Sequence, residues 1–127
     1  MIKTFKVLSL LLTYPSEELQ ASADELRGVI EAEGLVPARH RKGLFALIDD
    51  LSAGDIYDLQ ERYILLFDRT RSLSLHLFEH VHGESRDRGQ AMVDLMALYE
   101  KHGLFIDAKE LPDYLPLFLE FIATRPL

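Results

Sequence analysis

The chain has 127 residues and 14.6 kDa, enough for one hydrophobic core and too little for a two-domain enzyme. Its 14 basic against 21 acidic residues leave a net charge of -7, which repels phosphate backbones and argues against nucleic-acid binding. With no cysteine there is no disulfide, thiolate nucleophile or sulfur-held metal, and 48% hydrophobic with 28% charged residues is the balance of a folded domain.

Lys3 and Lys6 precede an apolar run from Val7 to Leu12, and Ala21-Ser22-Ala23 imitates a cleavage site. Glu17 and Glu18 intervene and the apolar spacing continues at helical period, so this segment reads as structure and not as a secretory leader. The run is far below the roughly 18 to 20 apolar residues that span a bilayer. A reducing cytoplasm is the expected compartment, without membrane insertion.

Apolar residues recur at spacings of three and four, with no sustained two-residue alternation, so the expectation is an all-α, single-domain bundle of about six helices over residues 1–127. Residues 2–14 predict a first helix that is apolar nearly all round and belongs in the middle of a bundle; Pro15 ends it. Ser16 caps a second helix whose buried stripe is Leu19, Ala23, Leu26 and Ile30 and whose stop is Gly34. Pro37 opens a third, with Leu44, Leu47, Ile48 and Leu51 inward and the chain's one dense basic cluster, Arg39-His40-Arg41-Lys42, on its solvated face. Asp55 caps a fourth with Ile56, Leu59, Tyr63, Leu66 and Phe67 on one side. A short helix or turn falls within 68–90, and a fifth helix runs from about 85 to 102. Gly103 ends it, and Asp113 caps the last helix, where Pro116 sits harmlessly in the first turn.

The densest chemical cluster is His76-Leu77-Phe78-Glu79-His80-Val81-His82-Gly83-Glu84-Ser85-Arg86-Asp87-Arg88-Gly89. On a helix His76 and His80 are one turn apart, at workable metal-ligand spacing, and Glu79 or Glu84 could add an oxygen. The blander reading has the imidazoles hydrogen-bonded within the bundle and Glu84, Arg86, Asp87 and Arg88 neutralising one another outside. No phosphate loop, nucleophile elbow or activated nucleophile is present, so no catalysis is expected. In Glu110-Leu111-Pro112-Asp113-Tyr114-Leu115-Pro116, the plain reading is a helix cap by Asp113. The functional one is a stiff acidic rim beside an apolar groove, suited to a basic, apolar peptide.

The run Ser74 to Leu95 resembles the signature of the NarJ chaperones, the delta subunits of respiratory nitrate reductase. Leu11-Leu12-Thr13-Tyr14-Pro15, Tyr63-Ile64-Leu65-Leu66-Phe67-Asp68-Arg69 and Glu110 to Pro116 support the resemblance over nearly the whole chain. It implies an all-helical redox-enzyme maturation chaperone, cytoplasmic and without cofactor or catalysis, that serves nitrate assimilation. Such a protein binds the N-terminal peptide of the apo catalytic (alpha) subunit and keeps it competent for molybdenum cofactor and iron-sulfur insertion before membrane docking. By position the peptide site comprises Tyr63, Leu66, Phe67, Phe78, Glu110, Pro112, Asp113 and Tyr114. The signature residues His76, Glu79, His80, His82, Glu84, Arg86, Asp87 and Arg88 are candidate contacts to the enzyme body. Where relatives carry His after the loop aspartate, this chain has Tyr114. The resemblance further implies that helices and an acidic tail lie beyond residue 127, and a bundle cut there can dimerise or exchange a helix. The alternative function is a metal-binding helical protein built on the histidine cluster.

Overall fold

In the computed structural model, which describes residues 2–82, 86–106 and 110–125, the three-and-four spacing is realised as eight α-helices. They are α1 (Lys3–Leu11), α2 (Glu17–Ala21), α3 (Ala23–Glu33), α4 (Ala38–Ala53), α5 (Ile56–Tyr63), α6 (Leu77–Val81), α7 (Asp87–Lys101) and α8 (Leu115–Ala123). The strand-like pairing among the described residues is a lone antiparallel bridge between His76 and Tyr114. No described helix is long and apolar enough to cross a membrane.

Local signals set most boundaries. Ser16 Oγ accepts from the Leu19 amide and Asp55 from the Asp58 amide, so both predicted caps form. Gly34 closes α3 in the left-handed region at φ 62°, which a Cβ would disfavour. The predicted second helix is interrupted, however. Ser22 (φ -93°, ψ 2°) leaves helical geometry, and its hydroxyl donates back to the Glu18 carbonyl, dividing the helix into α2 and α3.

Two further expectations are corrected. The first helix is not enclosed: Val7 and Leu11 are buried, but Phe5 and Leu8 are only half-covered and line an open groove toward α4. Asp113 does not cap α8, whose N-cap residue is Tyr114 without a side-chain bond. Pro116 sits in the first turn of that helix as expected.

Packing forms two apolar clusters. Val7, Leu11, Leu19, Leu26, Ile30, Ile48, Leu51 and Leu59 join α1 to α5, whereas Leu95, Tyr99 and Phe121 join α7 to α8 with Phe78, Leu104 and Ile106 against them. Ile30 and Ile48 are almost fully sealed, each contributing roughly 1.5–3 kcal/mol by burial. The first and last helices fasten the clusters together. Ser9 Oγ donates to the Pro116 carbonyl at 2.6 Å and Lys6 meets Glu120 at 2.8 Å, pairings that run α1 and α8 antiparallel. Glu33, at the end of α3, receives the Lys3 and Thr4 amides and the Thr4 hydroxyl. These bonds, the Thr4 hydroxyl foremost, hold its carboxyl below the usual glutamate range.

Candidate functional site: a groove and a clamp

The site begins where α5 changes pitch. Residues Ile64–Asp68 continue α5 as a π turn, with the Arg69 amide donating to the Ile64 carbonyl five residues back at 3.1 Å. Thr70 Oγ1 donates to the Leu65 carbonyl, so a side chain engages a carbonyl of the widened turn. The extra residue per turn shifts the apolar stripe out of register with the core. Leu65 and Leu66 face outward, 48% and 38% exposed, and Phe67 is half-buried.

Leu66, Phe67 and Tyr63 then form one wall of a groove of about 300 Å³, closed by Leu11 and Leu12 of the first helical segment and Leu47 and Leu51 of α4. Tyr63 is fixed by its hydroxyl, which donates to the Leu12 carbonyl at 2.9 Å, and by ring contacts with Tyr14 at 5.7 Å and Phe67 at 4.9 Å. The carboxylate on this rim is Asp50, 2.6 Å from Arg62. At this edge an incoming cation competes with Arg62 for one carboxylate.

A second assembly adjoins it through the 3.2 Å contact between the Tyr63 and Tyr114 hydroxyls. Here segment 75–78 pairs with segment 113–115. The Leu115 amide donates to the Leu75 carbonyl at 2.7 Å, and the Leu77 amide donates to the Asp113 carbonyl at 3.0 Å. Asp113 is fully buried, and its Oδ2 accepts from the Phe78 amide at 3.0 Å, an orphan donor in the first turn of α6. Its Oδ1 faces His76 Nδ1 at 3.5 Å, with no closer hydrogen-bond partner among the described residues. Tyr99 closes the assembly from α7 by donating its buried hydroxyl to the Pro112 carbonyl at 2.7 Å. Burial raises both Tyr63 and Tyr99 far above the ordinary phenol range, assisted by the Tyr114 hydroxyl at the first and the Asp113 charge at the second.

The structure therefore gathers Tyr63, Leu66 and Phe67 at one groove, with Tyr114 in reach through its hydroxyl. Pro112 and Asp113 are buried in the clamp, which corrects the expected acidic rim: a carboxylate with no exposed surface cannot meet a peptide from solvent. Glu110, by contrast, is exposed. Phe78 packs in the α7–α8 cluster with its ring against His82 at 5.2 Å and does not reach the Tyr63 groove.

The histidines do not converge. His76 stacks near Tyr114 with ring centres 5.6 Å apart, His80 Nε2 lies 2.7 Å from the Ser74 carbonyl, and His82 meets Phe78. Among the described residues no three His, Asp or Glu side chains gather as metal ligands, so the alternative metal site is not assembled. Glu79 lies 3.7 Å from Arg88, while Arg86 and Asp87 are exposed at the start of α7. Glu84 lies outside the described residues. Two residues of the site, Leu12 and Tyr99, are not among the expected peptide contacts, and Asp113, expected as a cap or a peptide contact, is instead a buried acceptor for α6. The only written trace of the Asp113 role is a cap residue followed by proline-interrupted helix.

Comparison with known proteins agrees with this architecture. The family model described as nitrate reductase delta subunit matches residues 15–126. The nitrate reductase molybdenum cofactor assembly chaperone NarJ of Escherichia coli K12 is 50% identical over 120 residues, covering 94% of this chain and 51% of that protein. A probable nitrate reductase molybdenum cofactor assembly chaperone NarJ of Bacillus subtilis is 35% identical, covering 98% and 66%. The crystal structure of a putative redox enzyme maturation protein from Archaeoglobus fulgidus superposes with a TM-score of 0.66 at 25% identity, covering 97% of this chain and 70% of that one. The chain spans about half the length of the Escherichia coli relative. With its helical clusters, its Tyr63 groove and a family match running from Pro15 to Pro126, the chain belongs to the nitrate reductase delta subunit family.

Proposed function

We propose that this chain is the peptide-holding part of a non-enzymatic cytoplasmic chaperone for nitrate reductase assembly. It takes the N-terminal peptide of the apo catalytic (alpha) subunit into the groove of Tyr63, Leu66 and Phe67. Occupancy keeps that subunit competent for molybdenum cofactor and iron-sulfur cluster insertion before it docks at the membrane. The observation that carries the reading is the open apolar groove beside a π turn, in a chain half identical to an assembly chaperone. Apolar side chains held outward cost solvation in the free protein, and an amphipathic peptide relieves that cost by covering them. The Asp50–Arg62 edge supplies a carboxylate for a cationic residue of the peptide, and exposed Glu110 adds long-range attraction.

The test is a calorimetric titration of the chain with a synthetic peptide of the catalytic subunit's N-terminus. Leu66→Ser, at an exposed apolar position, is expected to weaken binding at least about tenfold, or about 1.4 kcal/mol, with an unchanged urea midpoint. A folded wild-type chain that produced no binding heat at several temperatures would remove peptide capture from this chain.

A further inference from the structure

A larger groove than the Tyr63 groove is present elsewhere among the described residues. It lies between α1 and α4, encloses about 730 Å³, and is floored by Phe5 and Leu8 on one side and by Gly43, Leu44 and Leu47 on the other. Leu47 also borders the Tyr63 groove, so the two troughs are neighbours.

Its form is that of a seat for a helix. Positions 39, 43 and 47 follow one line of α4 at four-residue spacing, over a length of about 12 Å. A ridge of side chains spaced three and four apart on an incoming helix fits between two such rows. Gly43 keeps the floor low. It stands inside α4, where glycine costs about 1 kcal/mol against alanine, and a Cβ built on it meets nothing within 4 Å. Among the described residues no contact accounts for the missing side chain.

The charge at the rim selects the occupant. Arg39 and His40 are on the groove wall, followed by Arg41 and Lys42, the dense basic cluster of a chain whose net charge is -7. Arg39 Nε donates to His40 Nε2, and Arg41 donates to the Val36 carbonyl. The neighbouring carboxylates of α4 are engaged elsewhere: Asp49 with Arg27 and Asp50 with Arg62. Among the described residues, none of the four cluster residues has a carboxylate partner. From this we propose that the α1–α4 groove docks an acidic amphipathic helix of another protein, its apolar ridge on Phe5, Leu8 and Leu47 and its carboxylates on Arg39 and Lys42. A basic peptide of the kind assigned to the Tyr63 groove is repelled here, so the two troughs take partners of opposite charge.

A labelled synthetic 16-residue helix, with leucines spaced three and four apart and glutamates on both flanks, is titrated by fluorescence anisotropy. A second peptide carries lysine at every glutamate position. The acidic peptide is expected to bind at least about tenfold tighter than the lysine peptide, with affinity falling as salt rises. Gly43→Leu adds a side chain where a Cβ meets nothing within 4 Å, and is expected to abolish this binding with an unchanged urea midpoint. Arg39→Glu combined with Lys42→Glu reverses the peptide preference, and Leu66→Ser leaves it untouched. Equal binding of the two peptides, no binding of either, or indifference to Gly43→Leu overturns the proposal. Loss of binding in Leu66→Ser overturns it too, because the probe then occupies the other groove. Self-association of the wild-type chain that Gly43→Leu removes makes the occupant a second copy, and overturns it likewise.

Discussion

The Tyr63 groove and the Asp113 clamp touch through two tyrosine hydroxyls, yet they treat polarity in opposite ways. In the groove, Leu66, which the helical stripe would bury, is turned outward within a π turn. In the clamp, an acidic residue that loop composition would leave in water is sealed completely. The difference shows how an exposed apolar surface and a sealed polar fixture are built from adjacent segments. Exposed apolar atoms store free energy that a partner can release, whereas a buried carboxylate is tolerated only where hydrogen bonds order the chain around it.

The largest effect is expected at the clamp. Asp113→Ala removes the acceptor of the Phe78 amide and leaves His76 facing an empty site, at a cost of about 2 kcal/mol in urea unfolding. Asp113→Asn keeps an acceptor oxygen and should lose less than half as much. If the alanine variant were as stable as wild type, the carboxylate would not be what joins the two segments.

Next comes Tyr99→Phe, which deletes the bond to the Pro112 carbonyl and should cost about 1 kcal/mol. The phenols also impose a pH dependence. Because Tyr63 and Tyr99 are held above the ordinary value of 10, the folded chain keeps protons that the unfolded chain releases in alkali. Their contribution is complete below pH 10 and declines as pH rises beyond it. Tyr99→Phe should therefore flatten the alkaline limb of a stability profile, and an unaltered limb would argue against its burial.

The smallest effect is expected at Glu110, the exposed carboxylate three residues from Asp113. Glu110→Gln should shift stability by no more than about 0.5 kcal/mol. Its signature is in binding, through a slower association with the basic peptide at low salt that converges on wild type at high salt. A stability loss like that of Asp113→Ala would erase the distinction between the two acidic residues.

Much of this was legible along the chain where the cause is local. Ser16 and Asp55 cap helices because a side-chain oxygen reaches an amide three residues on, and Gly34 stops a helix because it tolerates positive φ. The grouping of Tyr63, Leu66 and Phe67 was legible from the family resemblance and from the apolar stripe. The break at Ser22 was not, since its helix-compatible flanks hide a hydroxyl that competes for a carbonyl. Phe78 was misplaced because an apolar residue beside a recognised motif gives no indication of which cluster it joins.

The amino-acid sequence by itself determined the helical period, most of the caps, the absence of thiol chemistry and the kinship with the delta subunit family, all of which depend on residues a few positions apart or on residue identity. The tertiary structure alone decided that Asp113 serves α6 from 35 residues away, that Tyr99 holds Pro112, and that α1 leaves a flank uncovered against α4. Periodicity states that a helix has an apolar face. Whether another element covers that face depends on the packing of distant segments, and there the open apolar grooves of this chain arise.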